Sequence, residues 1–289
     1  MTQELNNMEM LKLKQAPLLA WPTLLLFLVC MAGLSWVSAL ALEGSLYLWQ
    51  ASVLNGVLVY FVFSVVHDSA HYAISKVRWF NNFFGHVGMM FFGPLAPLDF
   101  ARWIHNQHHM HTNDPAMDPD HFAHKFDWLT PLRWTNFDYY YTSFFLKQAG
   151  DVRQRFGSRL VIQVMLIMLI LGASFYHGYL LEVVALWLIP TRISSALFII
   201  MFVFLPHVPF IATARENKYQ ASSNRIGWEW ILTPLMTFQN YHLVHHLYPG
   251  APFYRMKRLW NARLESHLAK GPLLIEALSV STIKREGGR

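Results

Sequence analysis

Two long stretches of this chain carry no charged residue: Leu18 to Leu42 and Leu46 to Val66. In hydrocarbon every peptide group must be satisfied internally, so an uncharged apolar run of about 20 residues reads as a membrane-crossing helix. Leu160 to Tyr176, beginning "LVIQVMLIMLIL", is a third run, and Ser194 to Ala212 a fourth. Phe83 to Leu98 is apolar but short, and Gly85, Gly88, Gly93 and Pro94 interrupt it; it reads as a re-entrant or interfacial segment. Gly178 to Ile189 is ambiguous, because Glu182 interrupts it and Pro190 ends it. The fold class expected is an all-α integral membrane protein with about four transmembrane helices. Lys12 and Lys14 precede the first run as they would in a signal peptide. That run is too long for a cleaved segment and has no clear small-x-small cleavage site, so it is expected to be retained.

Only 14% of the residues are charged, where a soluble domain is nearer a quarter. With four spans, residues 1–17, 67–159 and 213–289 share one side of the membrane and hold 22 of the 23 Lys and Arg residues; Arg192 alone falls opposite. Positive charge near span ends stays cytoplasmic. The expectation is a multi-pass protein of a bacterial inner membrane with that side in the cytoplasm. The net charge of +6 needs no nucleic acid, since a basic rim beside anionic headgroups accounts for it. The only cysteine, Cys30, lies inside the first span, which excludes disulfides, a structural Cys–zinc site and a protein-held iron–sulfur cluster. No repeat or long linker divides the chain. A single domain over 1–289 is expected, with 1–17 and 272–289 as peripheral tails and "KREGGR" frayed.

The chemistry lies in fifteen histidines and their grouping. "HDSAH" holds His67 and His71, "HNQHH" holds His105, His108 and His109, and "HLVHH" holds His242, His245 and His246. The spacings i, i+4 and i, i+3, i+4 put each set on one helical face. All three boxes fall on the side assigned by charge, although the charge argument made no use of them. Eight imidazoles exceed what one ion takes and suggest two metals; ligand type alone leaves iron, zinc and copper open. A zinc hydrolase would not need eight. A metal transporter would carry polar ligands along its spans.

The set "HDSAH", "HNQHH" and "NYHLVHHLYP" resembles the membrane fatty acid desaturase and hydroxylase superfamily, over roughly residues 65–254. Within it, "HHMHTNDPAMDPDHF", "LPHVPF" and "QNYHLVHHLYPGAPFYRM" look most like the β-carotene ring hydroxylases of the cyanobacterial type. The resemblance implies a histidine-rich cap with two iron ions on the cytoplasmic side, dioxygen as co-substrate and oxidation of an unactivated C–H bond in a hydrophobic lipid. Hydroxylation of the β-carotene ring leads, with acyl-lipid or acyl-thioester desaturation as the alternative. The resemblance also implies a further ligand, His207, near the end of the fourth span. Some relatives have an asparagine one turn earlier, where this chain has Val203. His111 is open between ligand substitute, outer hydrogen-bond donor and interfacial residue, and His86, His121, His124, His177 and His267 read as ordinary, although His86 could line the substrate cavity.

Neutral ligand rings need acceptors for their outer N–H groups. Asp68, Asp114, Asp118 and Asn240 are the candidates. Asp114 and Asp118 stay open between that role and Asp-Pro turns, Asn240 between that role and a plain polar contact, and Asp120 reads as a turn residue. No dinucleotide fingerprint or haem domain is present, so electrons are expected from an external donor, a small acidic ferredoxin with its reductase, docking on the basic rim.

Overall fold

The computed structural model describes residues 7–281. A short helix α1 (Asn7–Lys14) leads into two long antiparallel helices, α2 (Trp21–Leu42) and α3 (Leu48–Ala70). Next come α4 (Arg78–Phe92) and α5 (Leu98–His111), a 3-10 turn over Pro119–His124, and α6 (Thr130–Thr135) and α7 (Phe137–Leu146). Two more long helices follow, α8 (Gly150–Tyr176) and α9 (Leu180–His207). Beyond them lie β1 (Ser223–Ile226), α10 (Glu229–Leu235), α11 (His242–Leu247), α12 (Met256–Ala262), α13 (Leu264–Leu268) and β2 (Leu273–Glu276). Helices α2, α3, α8 and α9 are each long and apolar enough to cross a membrane.

The fourth span begins at Leu180, not Ser194, and absorbs the segment that hydropathy left ambiguous. Pro190 does not end it. Proline has no N–H for the carbonyl four residues back, and Leu186 O is instead taken by Asn55 Nδ2 of α3 at 3.3 Å. Ser52 Oγ donates to the neighbouring Ala185 O at 2.6 Å, along a π-helical stretch at Val184–Leu188. Arg192 consequently lies within the span and not beyond it. It donates to Asp138 of α7 at 2.6 Å and to Thr135 O at 3.1 Å, so the charge is paired inside the bundle, as intramembrane charges are.

Helix α3 sits at the centre, packed by α2, α4 and α9. An aromatic cluster of Phe63, Phe92, Phe198 and Phe202 fills the middle, with ring centroids 4.3 Å apart for Phe63–Phe198 and 4.4 Å for Phe63–Phe92. The close crossing of α4 on α3 depends on Gly85 and Gly88. A Cβ at Gly85 would stand 2.1 Å from Ser69 Oγ, and one at Gly88 2.6 Å from Val66 Cγ2. Phe83–Leu98 is thus mostly a regular helix laid against the bundle. Helix α8 is different: of its 27 residues only Phe156 and Ile167 are buried.

The described parts of the segments expected as peripheral tails, 7–17 and 272–281, are built in. Met10 and Leu13 of α1 are buried in one core cluster with Leu259 and Trp260 of α12. The β2 strand pairs in parallel with β1, a small departure from an all-α fold. Arg225 of β1, fully buried, donates to Leu205 O at 2.6 Å and 2.9 Å and to Ala277 O and Ser279 O. A cation on the last carbonyls of a helix is well placed, and here it ties the C-terminal region to the end of α9. "KREGGR" lies outside the described residues.

Gly85→Ala is expected to lower the thermal midpoint of the purified protein by an overpacking cost of about 1–3 kcal/mol. Gly172→Ala, with open space around it, should leave the midpoint level or raise it. Equal midpoints for the two variants would show that the α3–α4 contact has room to spare.

Candidate metal centre

Each histidine box stands at a helix end, where an i, i+4 face can be turned inward without a break in the span. His67 and His71 close α3, the second box is the last two turns of α5, and the third box is α11. His207 is the last residue of α9. The four ends meet. His67, His71, His105 and His245 form one group with ligand nitrogens within 4.8 Å of one another; His108, His207, His242 and His246 form a second. His109 lies between the groups, its Nε2 3.2 Å from His105 Nε2 and 2.9 Å from His245 Nε2, its ring 4.3 Å from that of His246.

Nitrogen faces nitrogen throughout. His67 and His245 approach at 3.1 Å, His207 and His246 at 3.3 Å, and His242 and His246 at 3.0 Å, all through Nε2. Burial first, and then the neighbouring rings, hold His71, His105, His109, His242, His245 and His246 far below the usual imidazole range. These rings are neutral, so they present lone pairs and few protons to share among them. Two nitrogens bound to one ion at about 2.1 Å and a right angle would stand about 3.0 Å apart. His71 Nε2, buried and without a hydrogen-bond partner in the described residues, adds a free donor atom to the first group. The donor set therefore fits metal, and two groups fit two ions.

The outer ring nitrogens show how the rings are held. Asp118 accepts from His108 Nδ1 at 3.0 Å, and also from the backbone N–H of Asn113 at 2.7 Å and of Asp120 at 2.9 Å. It is at once a turn former and a ring acceptor. Asp120, read from the sequence as a turn residue only, is a second carboxylate on His108 Nδ1, at 3.3 Å, and takes a hydrogen bond from Tyr141 Oη at 2.7 Å. Burial opposes a charge on His108, but Asp118 and Asp120 outweigh it and raise the ring to about 9. The same two carboxylates can offset the charge of an ion at Nε2. Asp118 is itself held low: burial works against it, and His108 with two backbone N–H groups prevails. Burial pushes Asp120 up to about 6, with His108 opposing and Asp118 adding.

The remaining candidates fall elsewhere. Asp114 accepts from the backbone N–H groups of Ala116 and Met117 at 2.9 and 3.0 Å, the Asp-Pro turn alone. Asp68 faces no ring: Thr23 Oγ1 donates to it at 2.8 Å and Phe253 N at 3.1 Å, so it joins the start of α2 to the loop after box three. Asn240 donates to Thr233 at 3.2 Å and reaches no histidine. Its neighbour Gln239 does, accepting from His242 Nδ1 at 2.5 Å. Sequence reasoning missed Gln239, although a position three before a ligand lies one turn away on the same face. Val203 takes its place through the backbone: its carbonyl accepts from His207 Nδ1 at 2.6 Å. His111 belongs to neither group.

An apolar cavity of about 570 Å³ ends at His67 and His105. Its walls include Phe63, Phe92 and Phe198 from the core, and Val161, Val164 and Met165 from α8. Asp138, Thr142 and Arg192 lie at its polar margin. His86 lines a different groove, beside Asn82 and Arg102.

Fold and site together define a multi-pass membrane protein with a buried polyhistidine centre able to hold metal at the end of an apolar cavity. The chain belongs to the fatty acid desaturase family, which it matches over residues 43–276. It is similar to the sn-1 oleoyl-lipid 12-desaturase of Anabaena variabilis, 26% identical over 86% of this chain and 77% of the relative. It is also similar to the sn-1 oleoyl-lipid 12-desaturase of Synechocystis sp., 25% identical over 80% and 70%. The β-carotene ketolase of Paracoccus sp. (strain PC1) is 27% identical over 81% and 79%. The protein is thus an oxygen-using oxidoreductase of this family.

Removing an outer acceptor of a ligand ring typically costs 10–100-fold in metal affinity. Asp118→Ala and Gln239→Leu are each expected to lose metal to a chelator about 10–100-fold more readily than the parent, measured as metal retained per chain. Asp114→Ser should retain it. Loss of metal from Asp114→Ser alone, with the other two unaffected, would reverse the assignment of acceptors.

Proposed function

We propose that the protein is a di-iron oxygenase that hydroxylates a hydrophobic lipid, with the β-ionone ring of β-carotene as its substrate. The observation that carries this reading is the cavity: a slot walled by phenylalanines that meets the histidine centre at His67 and His105. A rigid apolar ring suits such walls. The motif "HHMHTNDPAMDPDHF", whose Asp118 and Asp120 clamp His108, is also the stretch most like the ring hydroxylases.

Nine histidines, His67, His71, His105, His108, His109, His207, His242, His245 and His246, would hold the two ions, with His109 placed to serve either. Iron bound there supplies the power to activate dioxygen and take hydrogen from an unactivated C–H bond. The protein does the rest. Phe63 and Phe198 orient the substrate and exclude water, which suppresses side reactions. Asp118, Gln239 and the Val203 carbonyl fix the ring tautomers, each accepting an Nδ1–H so that Nε2 faces the centre. One atom of dioxygen enters the product and the other leaves as water, with electrons and protons supplied from outside. An acidic ferredoxin drawn to the basic face on the histidine side, in the cytoplasm, is the proposed donor.

Acyl-lipid desaturation is the second reading, favoured by one specific feature. Arg192 and Asp138 give the cavity a polar margin that a hydrocarbon leaves unused and an ester carbonyl would engage.

The test is a mass-spectrometric pigment and lipid profile of a β-carotene-accumulating bacterial host with a ferredoxin system, comparing the parent chain with His245→Ala. β-Carotene that gains oxygen only with the parent supports ring hydroxylation. Unchanged pigment with acyl chains two hydrogens lighter would replace it with desaturation. Full activity in His245→Ala would remove box three from the centre.

A further inference from the structure

Away from the centre, a further pocket of about 270 Å³ opens between α1, Tyr248 just beyond α11, and α13. Lys14, Arg263 and Lys270 line it together with Tyr219 and Ser266, and no carboxylate is among the described lining residues. Two of the cations are seated on aromatic faces. Lys14 Nζ lies 4.5 Å from the ring centroid of Tyr248, and Lys270 Nζ 5.2 Å from that of Tyr219. Such seating holds an ammonium group in place without neutralising it.

The floor is His267, an apparently ordinary histidine in the sequence. It is 2% exposed, with one face stacked on Trp260 at 5.1 Å and nearly parallel. Its Nδ1 is 3.2 Å from Tyr219 Oη. Nε2 has no partner among the described residues. Burial, then Lys270, Lys14 and Arg263, lower this ring to about 4, so it is neutral. In the tautomer that accepts the Tyr219 Oη–H at Nδ1, the unpartnered Nε2 carries a proton. A buried N–H without an acceptor is costly, and an anion in the pocket would supply one.

The position identifies the anion. Lys14 precedes Trp21, the first residue of α2, by less than two helical turns' length of chain, on the membrane side where α3 ends at the histidines. Met8 and Leu11 of α1, Leu18 and Trp21 are all exposed apolar side chains around this point, as at a lipid–water boundary. A phosphate offers enough charge and enough acceptor oxygens for several cations and N–H or O–H donors at once. We propose that this pocket is a phosphate-binding site at headgroup level, occupied by the headgroup of an anionic phospholipid. It is separate from the catalytic reading and does not depend on it. Because Tyr248 stands two residues after His246, an occupied pocket would brace the end of the box-three helix.

The test uses the full-length, metal-loaded protein in neutral detergent, with lipid binding read by native mass spectrometry. Phosphatidylglycerol is expected to bind at least tenfold more tightly than phosphatidylcholine. Lys14→Gln with Lys270→Gln should remove that preference, whereas Lys76→Gln with Lys147→Gln, the same change in net charge elsewhere, should keep it. Ser266→Asp places a carboxylate at an exposed rim position and should abolish the preference without touching the core, which covers a failure of the double variant to fold. In a second arm, inorganic phosphate is titrated and the thermal midpoint followed. A midpoint rise lost only in the pocket variants, without a lipid preference, would keep the phosphate site but assign it to free phosphate. Equal responses in the pocket and control variants in both arms would overturn the proposal.

Discussion

Imidazole rings cannot satisfy one another where their inner nitrogens converge, and nine of them converge here. Every other feature of the molecule can be read as what it takes to hold that unfavourable arrangement ready for cations. The spans bring helix ends to one level, and the boxes occupy those ends because only a terminal turn can aim i and i+4 side chains past the helix axis. Asp68, bonded to Thr23 and to the Phe253 N–H, locks the first span against the loop that follows box three. Arg225 does the same for the end of α9 that carries His207. These residues touch no ligand ring, yet they fix where the rings stand.

Much of this was legible in the chain. Box spacing alone places His105, His108 and His109 on one face, and the charge-free runs locate α2 and α3 to within a few residues. The start of the fourth span was not legible, because its defects are cured from afar. Glu182, Pro190 and Arg192 look like a break in hydropathy. The Leu186 carbonyl that Pro190 leaves open is taken by Asn55, 131 positions away, and Arg192 is paired 54 positions away by Asp138. A local pattern has no access to such partners. Asp120 escaped for the opposite reason: its turn role is genuine and visible, and hides the carboxylate's contact with His108. The sequence placed Asn240 where the structure uses Gln239, since adjacent residues on a 3-10 turn point in different directions.

The two histidine groups are unequal. In the second, His108, His207 and His242 each have an outer nitrogen held by a carboxylate, a backbone carbonyl or an amide. In the first, the outer nitrogens of His67 and His245 are buried and have no partner among the described residues. A ring fixed at its far side keeps one tautomer and one orientation, so the second group is the rigid one. The first group adjoins the cavity, through His67 and His105.

One wall of that cavity belongs to α8, a helix that buries almost nothing of itself. Val161 and Met165 line the cavity and are themselves largely exposed, and α8 is apolar enough to lie against lipid. For an enzyme built this way the relevant reservoir is the membrane's own hydrocarbon. Its occupancy follows the mole fraction of substrate among the surrounding chains, reached by search in two dimensions, and aqueous solubility drops out of the problem.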